Sequence, residues 1–306
     1  GLGYLEADPQ LDVGGIDAAH KLAILSSIAF GTQVNFDGIE LEGIERVSID
    51  DIRHAGDMGY KIKLLGVAQK TGRGLEQRMM PCLVPDTSPF GQLQGGTNMV
   101  AIEGDAVEQI VLRGPGAGEG PTASAVMGDI CDIARGLHLP VFGQPVDMLE
   151  AATPARSVLP APHYLRMALQ DKPGALAKIA TVLGEAGVSI DRMRQYGHDD
   201  ATAPVLIVTH KCTRAAVDAA LTAIQTTQVL PSDPVVLRIV SVRPSAFKTK
   251  RTSPMTDPAH FQDRLLSFGL ARVPEAAAPP PAPHSGRGCN TPAHLATRNP
   301  QLAPPP

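Results

Sequence analysis

The sequence has no tryptophan, only 4% aromatic residues and only four cysteines in 306 positions. Cys82, Cys131, Cys212 and Cys289 are widely scattered, which fits neither a zinc knuckle nor a compact disulfide framework. Reduced thiols, as in the cytoplasm, are therefore the expected state. The nine histidines are equally dispersed, and no pair has the spacing of metal ligands on a helix. We therefore expect no metal site.

A large excess of charge is also lacking, with 27 Lys and Arg against 31 Asp and Glu and a net charge of −4. Without a basic block, nucleic acid is not an expected partner. The longest apolar runs, such as residues 22–30, fall well short of the roughly 20 residues that a membrane-spanning helix needs. The 43% of apolar residues is enough for a core in each of two domains, so the composition predicts a globular protein of the cytoplasm.

Composition divides the chain into four segments. Residues 1–150 mix helix and strand patterns with many glycines, and residues 151–162 form a linker rich in Pro and Ala. Residues 163–243 are a second compact block, and residues 244–306 are a tail rich in Pro and Ala. Because so polar a tail cannot bury enough apolar surface to offset the entropy of ordering, it is predicted to be disordered, with one candidate short helix at 261–270.

In the first segment, the spacing of apolar residues follows the helical period in some stretches and the strand period in others. Apolar residues at helical spacing predict a helix over residues 16–30, with Ile28 on the apolar face, and Ser48 is a predicted N-cap with Asp51 three positions later. A further helix is predicted over residues 122–137, with Thr122 as its cap. Strands are predicted at 60–70, 76–84, 98–104 and 106–114. The fold class is thus α+β with a mostly antiparallel sheet, whose strand order the periodicity cannot determine.

Carboxylates crowd the start of the chain, where Glu6, Asp8, Asp12 and Asp17 precede Lys21. Asp17 and Lys21 are four positions apart on the predicted helix, which brings their Cβ atoms to about 5–6 Å. From spacing alone, this is a solvated surface pair worth a few tenths of a kcal/mol. The alternative is a site for an amino acid, in which carboxylates hold the ammonium group and the lysine acts as a general acid or base.

The same stretch carries a family resemblance. GYLEADP at 3–9, followed by Asp12 and by GIDAAHK at 15–21, resembles the signature of homoserine dehydrogenase. TNMVAIEGD at 97–105 and GPGAGEGPTASAVMGDI at 114–130 are similar to later segments of that family. The resemblance implies hydride transfer between a nicotinamide dinucleotide and the pair of L-homoserine and L-aspartate 4-semialdehyde, in the biosynthesis of threonine, methionine and isoleucine.

The resemblance also implies roles for individual residues. Lys21 exchanges the proton with the carbonyl or hydroxyl oxygen of the substrate, Glu6 and Asp17 bind the amino acid, and Asp12 helps to orient the site. This division of labour agrees with the chemistry, because hydride addition builds negative charge on an oxygen that an ammonium group can neutralise and protonate.

The glycine-rich stretch GPGAGEGP has two interpretations. By itself it is a turn between strand and helix, because it lacks both the pattern of a dinucleotide fingerprint and the Lys-Ser/Thr ending of a phosphate loop. By the resemblance it lies beside the nicotinamide, so Gly118 and Glu119, with Gly3, would contact NAD or NADP. Small residues there let the backbone approach a ligand closely. The sequence leaves the choice between NAD and NADP open.

Members of that family carry a dinucleotide-binding domain ahead of the signature, with its own glycine-rich strand-turn-helix unit. The sequence shows no such segment. The expectation is therefore a fragment of a longer enzyme, or a mis-called reading frame, that does not turn over substrate by itself.

Residues 163–243 follow the order strand, helix, strand, strand, helix, strand, which is the ferredoxin-like βαββαβ plan. DKPGALAKIATVLGEAGVSI within this block resembles an ACT domain. The resemblance implies a homo-oligomer and an amino-acid effector, with threonine expected, held at the first strand-helix turn by Asp171 and Gly174. A purely structural turn is the alternative there. For the whole chain, the alternative is a non-catalytic ACT regulator, against which the retained acidic cluster with Lys21 argues.

Overall fold

The computed structural model describes residues 9–104, 107–156, 159–196, 202–240 and 264–270. The helices in these ranges are α1 (Pro9–Val13), α2 (Ile16–Phe30), α3 (Ile49–Asp57), α4 (Glu119–Ala134), α5 (Ala175–Glu185) and α6 (Arg214–Thr226), with a 3₁₀ helix at Val146–Met148. The strands are β1 (Glu40–Leu41), β2 (Tyr60–Thr71), β3 (Gly74–Pro85), β4 (Thr97–Gly104), β5 (Glu108–Pro115), β6 (Pro154–Ala155), β7 (His163–Gln170), β8 (Ile190–Gln195), β9 (Thr202–Thr209), β10 (Val235–Ile239) and β11 (Arg264–Leu270).

Local sequence signals set the ends of α2 and α3. Gly15 and Gly31 flank α2, and both have the positive φ that glycine adopts most easily, at 75° and 65°. At the start of α3, the Asp51 backbone N–H donates to Ser48 Oγ, and the Ser48 backbone N–H donates to Asp51 Oδ2. This reciprocal pair is a capping box, so the predicted N-cap is confirmed.

The prediction for the cap of α4 was wrong. The helix begins at Glu119, and its N-cap is Gly118 with φ of 123°. Thr122 lies inside the first turn, where its Oγ1 donates to the Gly118 carbonyl oxygen at 2.8 Å. A glycine in a conformation that other residues rarely adopt therefore caps the helix, four residues before the hydroxyl that looked like its cap.

A single sheet runs through the described residues in the order β5-β4-β11-β2-β3-β10-β7-β9-β8. All neighbours along this path are antiparallel except β3 and β10, and the short strands β1 and β6 also pair with β3 in parallel. The predicted α+β class with a mostly antiparallel sheet is confirmed. The mixed character is concentrated on β3, which pairs with β2 along one side and with β6, β1 and β10 in turn along the other.

The second block has the predicted ferredoxin-like arrangement. β7, α5, β8, β9, α6 and β10 follow one another, and their strands lie in the order β10-β7-β9-β8. Ile179 and Leu183 of α5 and Val217 and Ile224 of α6 bury their side chains in one apolar cluster with Leu165. The two helices thus share one core with the sheet of this block.

The two blocks share one continuous sheet. Arg238 and Ile239 of β10 pair in parallel with Cys82 and Leu83 of β3, which joins the strands of residues 163–243 to those of the first 150 residues. The side chains of Leu83, Tyr164 and Leu237 lie in one buried cluster, so the core also crosses this joint. The boundaries 1–150, 151–162 and 163–243 stay predictions.

Residues 264–270 differ from the expectation of a disordered tail with a short helix. They form β11, which pairs antiparallel with β2 on one side and with β4 on the other. Without this insertion β2 and β4 would each leave a row of unpaired N–H and C=O groups, so a strand satisfies more backbone groups than a helix would. The rest of the predicted tail, residues 244–263 and 271–306, lies outside the described residues.

His163, the first residue of β7, is a buried titratable group in the second block. Its backbone N–H donates to Thr209 Oγ1, and its Nδ1 lies 3.6 Å from Cys212 Sγ. Burial, with Arg238 and Arg214 nearby, lowers the pKa of His163 to about 4. The imidazole is therefore neutral in the folded protein at neutral pH.

The low pKa of His163 predicts a loss of stability in acid. In the unfolded chain this pKa returns to about 6.5, so the unfolded state binds more protons between about pH 6.5 and about pH 4. The contribution of His163 to the free energy of unfolding should have its full value above that pH window. As the pH falls through the window, the free energy should decrease by up to about 1.4 kcal/mol per pH unit. Urea unfolding at about pH 7 and about pH 5 should show a smaller difference for His163→Gln than for the wild type.

The matched control for His163→Gln is His210→Gln, because the His210 side chain is exposed. Its Nε2 lies 3.9 Å from Asp191 Oδ1. This variant should keep the wild-type difference between the two pH values. A wild-type difference that persists in His163→Gln would show that other groups cause the acid sensitivity.

None of the helices within the described residues is both long and apolar enough to cross a membrane.

Candidate functional site

The candidate site lies at the start of α2. Lys21 Nζ is 2.7 Å from Asp17 Oδ2, and the side chains are 45% and 39% exposed. The spacing that places both residues on one helix face is thus realised as an ion pair open to solvent. An ammonium group has three N–H donors, and among the described residues Lys21 uses one of them, toward Asp17. The other two can bind an oxygen atom of a ligand.

A tight corner precedes this pair. Asp12 lies in α1, and α1 joins α2 through Gly14 and Gly15. The Gly15 backbone N–H donates to the Asp12 carbonyl oxygen at 3.2 Å, and a Cβ at Gly14 would stand 2.7 Å from the Gln10 carbonyl oxygen. The corner therefore needs glycine at 14 for space and at 15 for a φ of 75°.

The structure brings some of the predicted residues together. Asp17 and Lys21 are in contact. Asp12 lies in the adjoining helix α1 and is half-buried. Glu6 and Gly3 lie outside the described residues. Their assignment stays a prediction from the resemblance.

The exposed face of α2 continues beyond the ion pair. Ile24 and Ile28 follow Lys21 at helical spacing and are about half exposed, so Ile28 does not point into the core as its spacing predicted. The buried face of the helix belongs instead to Ala18, Ala19 and Leu22. An apolar strip thus runs directly alongside the charged pair.

Gly118 and Glu119 lie together at the N-terminus of α4. Gly118 has no side chain to cap the helix, and a Cβ there would have only Pro121 nearby, at 3.6 Å. The first backbone N–H groups of α4 are therefore accessible, and such groups attract anions. Glycine also leaves room beside the helix start, so the backbone there is open to a close approach.

Sequence reasoning missed one property of α4. None of its side chains is buried against the described residues, and Val126, Met127, Ile130 and Ile133 are all more than half exposed. Their spacing of three and four residues was visible in the sequence, but it indicates an apolar face without saying what covers it.

The predicted effector residues lie on the turn between β7 and α5. Asp171 is exposed, and Gly174 is the N-cap of α5 with φ of 84°. The Ala175 backbone N–H donates to the Lys172 carbonyl oxygen at 3.1 Å, and no side chain caps α5, so a carboxylate can bind at the N–H groups of Leu176 and Ala177. The turn therefore has the predicted form, and the ligand stays a prediction.

Comparison with known proteins identifies two matching families. Residues 1–131 match the model of the family described as homoserine dehydrogenase, and residues 163–227 match the ACT domain. A homoserine dehydrogenase of Neisseria gonorrhoeae is 39% identical over 249 residues, which cover 79% of this chain and 57% of that relative. One of Bacillus subtilis is 36% identical over 219 residues, covering 70% of this chain and 50% of the relative.

The fold is also found among solved structures. The crystal structure of a homoserine dehydrogenase from Thiobacillus denitrificans has a TM-score of 0.70 and 36% identity, and the match covers 78% of this chain and 56% of that one. This chain therefore spans about half the length of these relatives.

Proposed function

We propose that this chain, whose residues 1–131 match the homoserine dehydrogenase family and whose residues 163–227 match the ACT domain, is part of an enzyme that interconverts L-homoserine and L-aspartate 4-semialdehyde with NAD or NADP. The reaction would serve the biosynthesis of threonine, methionine and isoleucine. The observation that carries the proposal is the exposed Lys21–Asp17 ion pair, which leaves N–H donors of the ammonium group free for a substrate oxygen.

Lys21 handles the proton in this proposal. Its ammonium group donates a hydrogen bond to the carbonyl oxygen of the semialdehyde, offsets the negative charge that develops there and then transfers a proton. In the reverse direction the neutral amine accepts the hydroxyl proton of homoserine. The dinucleotide, when bound, supplies or accepts the hydride.

Asp17 has two tasks. Its Oδ2 accepts the hydrogen bond from Lys21 and holds the ammonium group in place. Its Oδ1 is then available for the ammonium group of the amino acid, which Glu6 would also bind while Asp12 helps to orient the site. Two carboxylates around one small cation would give selectivity for an amino acid over a simple aldehyde.

The cofactor residues of the proposal are Gly118 and Glu119, with Gly3. The open N-terminus of α4 supports this assignment, because its N–H groups can bind an anionic or polar part of the dinucleotide. These residues touch only one end of such a molecule, and they do not distinguish NAD from NADP.

The test is oxidation of L-homoserine, followed by the absorbance of the reduced nicotinamide. The chain is assayed alone and joined to the part of the Neisseria gonorrhoeae relative that lies outside the match. The joined protein should turn over homoserine. Calorimetry with L-homoserine on the 306-residue chain provides an independent measurement. Absence of both turnover and homoserine binding would reject the proposal.

The same experiment tests the alternative function. A non-catalytic ACT regulator would bind an effector amino acid through residues 163–243 and would not respond to homoserine. The accessible turn at Asp171 and Gly174 supports an effector site in either case, and we propose threonine as its ligand. Coupling to the enzyme requires that threonine bind two global states with different affinities.

We propose a homo-oligomer in the cytoplasm. β5 ends the sheet, and Ile110, Val111 and Leu112 on it are exposed, so a second copy of this chain can pair with this edge and cover them. Light scattering should show that Ile110→Lys combined with Leu112→Lys lowers the oligomeric mass. Gln109→Lys is the matched control for adding charge to the strand. An unchanged mass in the double variant would place the interface elsewhere.

A further inference from the structure

Arg78 of β3 and Arg238 of β10 are two like charges on neighbouring strands, the arginine pair. Arg78 is only 8% exposed, and its buried Nε has no hydrogen-bond partner among the described residues. Arg238 is half-buried, and its Nη2 donates to the Leu159 carbonyl oxygen at 2.9 Å. Within the ranges that the structure describes, neither guanidinium is in an ion pair. Burying such a charge is unfavourable unless a partner offsets it, so a partner is expected.

The two side chains of the arginine pair lie on one side of the sheet. Arg78 and Cys82 are four positions apart on β3, and Arg238 is the register partner of Cys82 on β10. Side chains at even spacing along a strand, and those of register partners, point to the same side. Burial raises the pKa of the Cys82 thiol to about 12, against the effect of both arginines. The thiol is therefore uncharged at neutral pH and offsets neither positive charge.

Two carboxylates act on the arginine pair, those of Glu76 and Glu40, and each already has a cation of its own. Glu76 Oε1 is 2.9 Å from Arg73 Nη2. Glu40 Oε1 is 3.8 Å from Arg156 Nε. Each of these ion pairs is neutral in sum, so the arginine pair keeps two positive charges that no described neighbour balances.

The pKa of Arg238 reflects this imbalance. Burial lowers it, Arg78 lowers it further, and the nearby acidic groups offset only part of the change. An arginine nevertheless keeps its proton in a protein, so the repulsion between the two guanidinium groups persists at neutral pH. An anion bound between them would remove this repulsion.

Glu76 adds an open acceptor to the same cluster. It lies two positions before Arg78 on the same side of β3, it is 2% exposed, and its buried Oε2 has no partner among the described residues. A donor, Arg78 Nε, and an acceptor, Glu76 Oε2, are thus both open. A water molecule could serve both atoms, but it would leave the excess positive charge in place. A small oxyanion that carries a proton serves both atoms and also balances the charge.

We propose that the arginine pair binds inorganic phosphate, whose oxygens accept from Arg78 and Arg238 and whose hydroxyl donates to Glu76. Inorganic phosphate keeps at least one proton at neutral pH. Sulfate keeps none, so a sulfate oxygen would face the Glu76 carboxylate without a proton between them. The small exposed fractions of Glu76 and Arg78 favour a free ion over a phosphate ester, because they leave little room for an attached group. Bound phosphate would hold β3 of the first block to β10 of the second.

Calorimetry on the 306-residue chain tests the proposal, with potassium phosphate as the probe in a buffer without other oxyanions. Phosphate should bind, and sulfate and ribose 5-phosphate should each bind at least about tenfold more weakly, since each loses a hydrogen bond or meets a steric clash. Arg78→Met and Arg238→Met should each weaken phosphate binding by about tenfold or more, because each removes charge-assisted hydrogen bonds.

Glu76→Gln tests the role of the phosphate proton. The amide of glutamine can donate a hydrogen bond as well as accept one, so it suits an oxyanion without a proton. This variant should bind sulfate about tenfold more tightly than the wild type does, and the preference for phosphate over sulfate should shrink. A site that attracts anions by positive charge alone would show no preference in the wild type.

Thermal unfolding supplies a second measurement and the control variant. Arg53→Met removes an exposed arginine of α3 and should leave phosphate binding unchanged. Without phosphate, Arg78→Met should unfold at the wild-type temperature or above it, because an apolar side chain replaces a buried charge without a partner. Added phosphate should raise the unfolding temperature of the wild type and of Arg53→Met, and that of Arg78→Met should rise much less. Arg238→Met provides the same comparison if Arg78→Met does not fold.

Three results would overturn the inference. The first is the absence of phosphate binding in both measurements. The second is equal binding of phosphate and of sulfate or ribose 5-phosphate by the wild type. The third is phosphate binding that Arg78→Met and Arg238→Met both retain. None of these measurements uses homoserine or a dinucleotide, so their outcome is independent of the proposed function.

Discussion

Replacing Lys21 by alanine is expected to lower homoserine turnover by about two to four orders of magnitude, the usual effect of removing a general acid or base. Lys21 is the ammonium group that the Asp17 carboxylate holds at 2.7 Å at the start of α2. Without it, charge on the reacting oxygen is no longer neutralised, and water must supply the proton. The assay is homoserine turnover by the chain joined to a dinucleotide-binding segment.

Lys70 offers a matched control for this variant. Lys70 Nζ lies 2.8 Å from Glu150 Oε2 and its side chain is 40% exposed, so it resembles Lys21 in pairing and in exposure. Lys70→Ala should keep turnover near the wild-type value. Lys21→Arg adds a second test, because arginine keeps the positive charge but does not give up its proton near neutral pH. It should bind homoserine and still lose turnover.

The expected effect falls on kcat rather than on substrate binding. Asp17 remains in Lys21→Ala and can still hold the ammonium group of homoserine, so the dissociation constant measured by calorimetry should change much less than turnover does. Turnover of Lys21→Ala within about tenfold of the wild type would refute the assigned role.

Asp51→Ala is expected to cost about 3 kcal/mol of unfolding free energy, and it is the largest stability effect that we predict. Asp51 is fully buried, and it accepts hydrogen bonds from Tyr164 Oη at 3.0 Å and from Arg166 Nε at 2.6 Å. Ser48 donates to its other oxygen from both the backbone N–H and Oγ. Removing this carboxylate leaves a mostly buried arginine without its partner, which typically costs about 3–5 kcal/mol.

The pKa of Tyr164 reflects the same cluster. Burial raises it, and the neighbouring Asp51 charge raises it further, so the phenol keeps its proton and stays a hydrogen-bond donor. The cluster joins α3 of the first block to β7 of the second, so its loss should loosen the contact between them.

Urea unfolding measures the effect of Asp51→Ala, and Asp50→Ala is the control from the adjacent position. Asp50 is exposed and pairs with Arg53 at 3.1 Å on the same helix, so its removal should cost less than about 0.5 kcal/mol. A loss below about 1 kcal/mol for Asp51→Ala would show that the buried network contributes little net stability.

Several features were predictable because they depend on residues close together in the chain. The ends of α2, the capping box of Ser48 and Asp51, and the contact between Asp17 and Lys21 each involve groups within four positions of each other. Helix geometry alone then determines the distance. The cap of α4 was missed because Thr122 and Gly118 are both acceptable helix starts locally, and the choice depends on how the chain leaves β5.

The sequence by itself therefore determined most of the element types, although not the strand at residues 264–270, together with the ferredoxin-like order of the second block and the acid-lysine pair, since short-range sterics and hydrogen bonding decide these. Only the tertiary structure decided that β10 pairs with β3 and that β11 enters between β2 and β4. Strands of similar pattern can pair in many orders, and the best one depends on burial and loop closure over the whole chain.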